Sequence, residues 1–123
     1  MKEAEISGDI LRHDARNLQL KRHLAERGID WRSQCQTVCR FCGPEQQQAA
    51  ALAGVLRRKG FLVMEPELLP GRSPARGWRV EAQRRQSIER SASHEFTEEM
   101  VRSAAAFSCL YEGWETAMAG EKS

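Results

Sequence analysis

The segment from Arg32 to Cys42 constrains the fold most, because its residues form two alternating sets with a period of two. Successive side chains of a strand point to opposite faces of a sheet, so this period predicts a β-strand. Gly43 and Pro44 follow at once, and proline suits the first turn of a helix. The chain is therefore expected to leave a strand and enter a helix within a few residues.

The rest of the chain continues this alternation of strands and helices. The elements predicted after the first strand are a helix over 45–59, a strand over 61–64, a turn-rich segment over 70–77, a strand beginning at Trp78, a helix over 97–110 and a strand over 114–118. Thr97 is expected to cap the second of these helices, and Gly113 is expected to end it.

A further helix is predicted ahead of the first strand, over residues 8–27. Ser7 is expected to cap it and Gly28 to end it. Its apolar residues recur at helical spacing, which predicts one buried side. That side is expected to hold Leu11, Ala15, Leu18, Leu24 and Ala25.

The order of elements, a helix followed by βαββαβ, predicts an α+β fold of the ferredoxin-like kind. In this arrangement two strand–helix–strand units interleave into a four-stranded antiparallel sheet with two helices on one face. A chain of 123 residues has the length of one ordinary compact unit. We divide it into an N-terminal helix over 1–28 and a ferredoxin-like regulator domain over 29–120.

Charge and hydropathy exclude some classes of protein. The formal net charge is +2 and the arginines are scattered, with one local excess between Arg72 and Arg90. No stretch approaches the roughly 18 apolar residues of a membrane span. The first residues lack the apolar core of a secretory signal, so we expect a cytoplasmic protein with reduced thiols.

Three cysteines, Cys35, Cys39 and Cys42, stand at the C-x3-C-x2-C spacing with which radical S-adenosylmethionine enzymes hold an iron–sulfur cluster. Such cysteines lie on a loop around the cluster. Here the period of two places Cys42 on the opposite face from the other two, and the chain is short for such an enzyme. We therefore predict half-buried or buried thiols, with no cofactor and no metal, and keep a small iron–sulfur protein as the least favoured alternative.

Two other chemistries are also weakly supported by the residues. Glu112 and Glu115 could form an acid–base pair, but no nucleophile accompanies them, so they are interpreted as exposed turn carboxylates. A ferredoxin-like sheet can bind RNA when aromatic and basic side chains share its open face. Trp78 instead alternates in phase with apolar residues that have the pattern of a core. Direct RNA binding is therefore an alternative and not the main hypothesis.

The closing motif Tyr111-Glu112-Gly113-Trp114 resembles the ending of the regulator of ribonuclease activity B family. Two other pieces occur in the family's order, namely Lys59-Gly60-Phe61-Leu62-Val63 and Glu65-Pro66-Glu67. The similarity covers about residues 29–118, with a similar leading helix. It implies a ferredoxin-like fold and a non-enzymatic protein that binds endoribonuclease E and restrains turnover of messenger RNA.

The sequence therefore predicts a regulator that acts by binding a protein partner, such as an endoribonuclease E-like enzyme, and that has no catalytic residues. The residues expected at the partner-binding surface are Tyr111, Glu112, Trp114 and Glu115. Among these, Trp114 is also expected to be a packing anchor, because the large indole ring gains most from burial.

Overall fold

The computed structural model describes residues 2–117. The predicted end of the last strand, Met118, and residues 118–120 of the predicted domain lie outside this range. The elements within it are α1 Glu3–Glu26, β1 Gln34–Gly43, α2 Gln46–Arg58, β2 Leu62–Val63, β3 Glu67–Leu68, a 3₁₀-helix Pro74–Arg76, β4 Trp78–Ser87, α3 Ile88–Ser91, α4 His94–Ala105 and β5 Leu110–Ala117.

The strands form one antiparallel sheet in the order β2, β4, β1, β5. This is the ferredoxin-like order, and the predicted fold class is confirmed. The outer position beside β4 is shared by two short strands, because β3 also pairs with β4. Pro66 lies between these two strands and cannot donate to a ladder, which accounts for the interruption.

The core lies between one face of the sheet and the helices α2 and α4. Alternate residues of the two central strands face it, as predicted, and Phe41, Val80 and Ala82 are fully buried there. The two helices cover them with the buried side chains Ala49, Leu52, Ala53, Leu56, Phe96, Met100, Val101 and Ala104. We call this side of the sheet the helical face and the other side the open face.

The start and end of α4 differ from the prediction. Ser93, not Thr97, caps the helix, since the Ser93 hydroxyl accepts the main-chain N–H of Phe96 at 3.1 Å. Thr97 lies buried within the helix and donates its hydroxyl to the Ser93 carbonyl at 2.8 Å. The helix ends at Ala105, so Gly113 does not end it and lies inside β5 instead.

The sequence prediction chose the wrong side of α1. Leu11 and Leu18 are 69% and 51% exposed, and Ala15 and Ala25 are exposed as well. Of the predicted set, only Leu24 is buried. The side that packs on the protein instead carries Ile6, Ile10, His13, Asn17, Leu20 and Leu24. Two of these residues are polar, so hydrophobic periodicity alone could not identify this side.

Helix α1 also begins earlier than predicted, at Glu3, and the main-chain N–H of Lys2 donates to Glu5 at 2.9 Å. Ser7 is therefore inside the helix and is not its cap. The helix runs antiparallel to α4, because its first turn contacts the C-terminal end of α4 and its middle contacts the N-terminal half of α4. These contacts are Glu3 with Arg102 at 2.8 Å, Asp14 with His94 at 2.8 Å and Asn17 with Thr97 at 3.0 Å. This packing places α1 beside the last strand.

Candidate functional site

The motif Tyr111-Glu112-Gly113-Trp114 forms a β-bulge in β5. Phe41 of β1 pairs with Tyr111, whereas the preceding residue Arg40 pairs with Gly113, so Glu112 is the extra residue. Gly113 has a φ of +118°, which a residue with a side chain adopts only with strain. The glycine therefore makes the bulge possible.

The bulge decides which side chains face the helices. In a regular strand, Tyr111 and Trp114 would lie on opposite faces, because they are three residues apart. The extra residue restores them to one face, where Trp114 pairs with Cys39 and Tyr111 with Phe41. Both aromatic rings consequently face the helices. The neighbouring carboxylates of Glu112 and Glu115 lie elsewhere along the strand.

Trp114 joins three elements through a chain of hydrogen bonds. Its indole Nε1–H donates to Asn17 Oδ1 at 2.9 Å, and the Asn17 amide donates to Thr97 Oγ1 at 3.0 Å. The ring is half-buried and packs against both apolar clusters of the protein. The predicted role of Trp114 as a packing residue agrees with this position, and its contact is with the middle of α1.

Tyr111 is buried, with 6% of its surface exposed. Its ring lies 5.2 Å from Phe41 and 4.8 Å from His13 between ring centroids. Burial raises the pKa of the Tyr111 hydroxyl well above its ordinary value. The carbonyl oxygen of Tyr111 accepts a hydrogen bond from His13 Nε2 at 3.0 Å. Tyr111 therefore presents its main chain, not its ring, at the surface.

The two acidic residues of the motif region are ion-paired in a strand and are not turn carboxylates, which corrects the interpretation from sequence. Glu112 is half-buried and forms an ion pair of 2.5 Å with Arg72 from the loop before the 3₁₀-helix. Glu115 is exposed and pairs with Arg40 at 2.7 Å. Arg40 also reaches Glu81 on the open face. These pairs hold both carboxylates at defined positions along β5.

Three adjoining cavities lie between α1 and β5, and we call them together the α1–β5 groove. The largest, of about 540 Å³, is lined by residues such as His13, Arg16, Arg76 and Glu112. The second reaches Trp114, and the third lies over the bulge and reaches Glu115. Of the four predicted partner-binding residues, three have side chains along this groove, and Tyr111 forms part of its floor.

The cysteines are arranged as the alternation predicts. Cys39 lies on the helical face beside Tyr111, and Cys42 lies on the opposite face beside Glu112. Burial raises the pKa of both thiols to about 12, and that of Cys109 to about 11. Cys35 is buried too. Thiols with such pKa values stay protonated at neutral pH, and a protonated thiol is a weak nucleophile.

The open face of the sheet is polar and largely neutralised by its own ion pairs. Arg40 and Arg79 both contact Glu81, and Gln83 bonds to the same carboxylate. Within the described residues, the aromatic rings of the central strands lie on the helical face. Base stacking on the open face therefore finds no support here.

Sequence reasoning missed the residues that α1 contributes to the site. His13, Arg16 and Asn17 are about a hundred residues from the motif they contact, and nothing in their local spacing signals the contact. The polar pair His13 and Asn17, four residues apart, was the one available signal that this side of the helix is used. The role of this polar pair is visible only once α1 is packed against β5 and α4.

The fold and the groove define a class of small ferredoxin-like proteins that present a bulged edge strand beside an N-terminal helix. The protein-family comparison matches residues 14–116 to regulator of ribonuclease activity B, RraB. The match spans most of the sequence, and the chain belongs to this family. No curated protein matches the sequence. Within residues 2–117, no helix has both the length and the apolar character needed to cross a membrane.

The two histidines that link α1 to the rest of the fold are expected to have different pKa values. Burial lowers the pKa of His13, while the hydrogen bond to Asp14 raises the pKa of His94. Because the unfolded chain binds protons more tightly than His13 does in the fold, protonation of His13 should oppose folding as the pH falls. His94 contributes in the opposite direction, with stability that is lost as the pH rises through its raised pKa.

Histidine ring protons followed by NMR between pH 4 and pH 9, a range that brackets the ordinary value of about 6.5, measure both pKa values. We expect His94 to titrate at the higher pH. Asp14→Asn should lower the pKa of His94 more than that of His13. Equal pKa values in the wild type would contradict the burial of His13 under β5.

Proposed function

We propose that the chain is a non-catalytic regulator that binds an endoribonuclease of the E type and restrains its cleavage of RNA. The observation that carries this proposal is the family match, which includes β1 to β4, β5 up to Thr116 and the bulged motif. The family is one of regulators of ribonuclease activity, so a nuclease is the partner that the match supports.

The geometry supports binding as the mode of action. Glu112 and Glu115, two of the carboxylates that line the groove, are each held in an ion pair with an arginine. Burial also raises the pKa of the Cys42 thiol beside Glu112, which keeps that thiol protonated at neutral pH. We therefore propose that Glu112, Trp114 and Glu115 contribute to the partner-binding surface, and that Tyr111 supports it from inside.

Cleavage of a labelled RNA by purified endoribonuclease E, with and without this protein, tests the proposal. Added protein is expected to slow cleavage in proportion to the complex formed, as measured by sedimentation of the mixture. Failure to form a complex and to change the cleavage rate would refute the proposal.

One variant pair locates the surface. Glu115→Ala should weaken the inhibition, because the Glu115 carboxylate holds Arg40 in place at the groove. It should change the free energy of unfolding by no more than about 0.5 kcal/mol, because exposed ion pairs contribute little. Glu65→Ala is the matched control, since Glu65 is also an exposed carboxylate near an arginine but lies at the opposite edge of the sheet. Equal loss of inhibition in both variants would place the surface elsewhere.

A further inference from the structure

The outer edge of β5 carries main-chain groups that can pair with another strand. β5 is at one end of the strand order, and no strand lies on its outer side within residues 2–117. The Tyr111 carbonyl points outward, since it accepts from His13. Along the edge strand of an antiparallel sheet, successive residues point their main-chain N–H and C=O groups alternately toward the neighbouring strand and away from it.

This alternation identifies the outward groups beyond the bulge. Tyr111, Trp114 and Thr116 pair with Phe41, Cys39 and Thr37, which are spaced by two residues along β1. The main-chain N–H and C=O groups of Trp114 and Thr116 therefore share the outward direction of the Tyr111 carbonyl. His13 occupies the start of this edge, and the edge from Gly113 onward is left for pairing.

The charges along the same groove favour an acidic occupant. Its carboxylates Asp9, Glu112 and Glu115 are each paired with an arginine. Glu5, at the far end, accepts the main-chain N–H of Lys2. Apart from Glu5, the unpaired charges that line the groove within residues 2–117 are positive and belong to two guanidinium groups.

Arg16 lines all three cavities of the groove, and Arg76 lines the largest of them. Within the described part of the chain, neither has a carboxylate within 4.0 Å, the limit of an ion pair. An arginine guanidinium binds a carboxylate through two parallel hydrogen bonds, which gives both affinity and orientation. Glutamate or aspartate side chains are the ligands that fit these two positions.

We propose that the α1–β5 groove binds an extended acidic segment of a protein partner, whose main chain pairs with the outer edge of β5 and whose carboxylates pair with Arg16 and Arg76. Strand addition of this kind obtains affinity from the main chain and specificity from alternate side chains. The inference rests on the proposed function, because it names the kind of segment that the regulated partner contributes.

A labelled peptide with the eight-residue length of β5, alternating glutamate with threonine and valine, is the probe. Fluorescence anisotropy should show binding that weakens as salt is added. The same peptide with lysine in place of glutamate should bind at least about tenfold more weakly. Equal binding of the two peptides would overturn the inference.

Two protein variants test the role of Arg16 in binding the peptide. Arg16→Glu should raise the dissociation constant for the acidic peptide at least about tenfold, because it reverses the charge that faces the ligand. Arg22→Glu is the matched control, since Arg22 is an exposed arginine of α1 that lines none of the three cavities, and it should change the constant less than about twofold. Similar effects of the two variants would contradict the assignment of the site.

The main-chain pairing is tested on the peptide itself. Methylation of alternate peptide nitrogens removes the donors of one edge only, so one of the two methylated peptides should lose binding and the other should keep it. Equal binding of both would exclude strand pairing.

The cleavage assay separates this inference from the proposed function. Arg16→Glu protein that loses the peptide but still slows endoribonuclease E would overturn the acidic segment and leave the regulator intact. Peptide binding by a protein that does not affect the nuclease would support the groove and refute the nuclease as its partner.

Discussion

Replacing Tyr111 with alanine is expected to lower the free energy of unfolding by about 3–5 kcal/mol, the usual cost of truncating a buried aromatic side chain. The ring lies within the main core and packs on Phe41 and His13. Its removal would open a cavity beneath the bulge, between the sheet and α1. For a domain of this size the loss is a large part of the total stability.

Tyr111→Phe provides the control, because it keeps the ring and removes only the hydroxyl. The hydroxyl oxygen is buried without a hydrogen-bond partner among the described residues, and the Cys39 thiol beside it is a weak acceptor. Deleting an unpaired buried polar group costs little, so the change should lie within about 1 kcal/mol of wild type. Urea denaturation of the three proteins measures both effects. A loss of less than about 1 kcal/mol in Tyr111→Ala would contradict the burial of the ring.

The parts of the fold that were predictable are those fixed by local periodicity. The alternation in β1 placed Phe41 on one face of its strand, and that in β4 placed Val80 and Ala82 on a face with the pattern of a core. The structure places all three on the helical face. The side of α1 was not predictable in this way. Its buried side includes His13 and Asn17, which are acceptable there only because β5 supplies their partners.

The residues of the closing motif could be found from the sequence, but their geometry could not. The motif Tyr111-Glu112-Gly113-Trp114 was found by its resemblance to a family. The bulge depends on the positive φ of Gly113, and simple alternation would have placed Trp114 on the face opposite Tyr111. A glycine inside a strand pattern was the available signal for a bulge.

The groove could not be predicted because it lies between the first and last elements of the described chain. Whether Arg16 is paired depends on which carboxylates the packing of α1 brings near it. Sequence spacing cannot answer that question, since the carboxylates of β5 are paired with arginines from β1 and from the loop before the 3₁₀-helix. The net charge of the groove is thus decided by tertiary packing and not by local sequence.

Trp114→Ala is expected to lower the free energy of unfolding by about 2–3 kcal/mol, somewhat less than for a fully buried ring because the indole is half-exposed. The variant loses packing between the two apolar clusters, and Asn17 Oδ1 loses the indole N–H from which it accepts a hydrogen bond. Trp114→Phe restores most of the packing without the donor, so it should recover all but about 1 kcal/mol.

The loss should appear first in α1, because Trp114 and Asn17 link that helix to both β5 and α4. Amide hydrogen exchange is the measurement, since it reports the opening of individual elements. In Trp114→Ala, amides of α1 should exchange faster by a larger factor than those of β1 and β4, which keep their ladder. The loosened helix would carry Arg16 away from β5, so binding of the acidic peptide should also weaken at temperatures where the sheet is still folded. Wild-type melting together with unchanged protection of α1 would show that Trp114 does not anchor the helix.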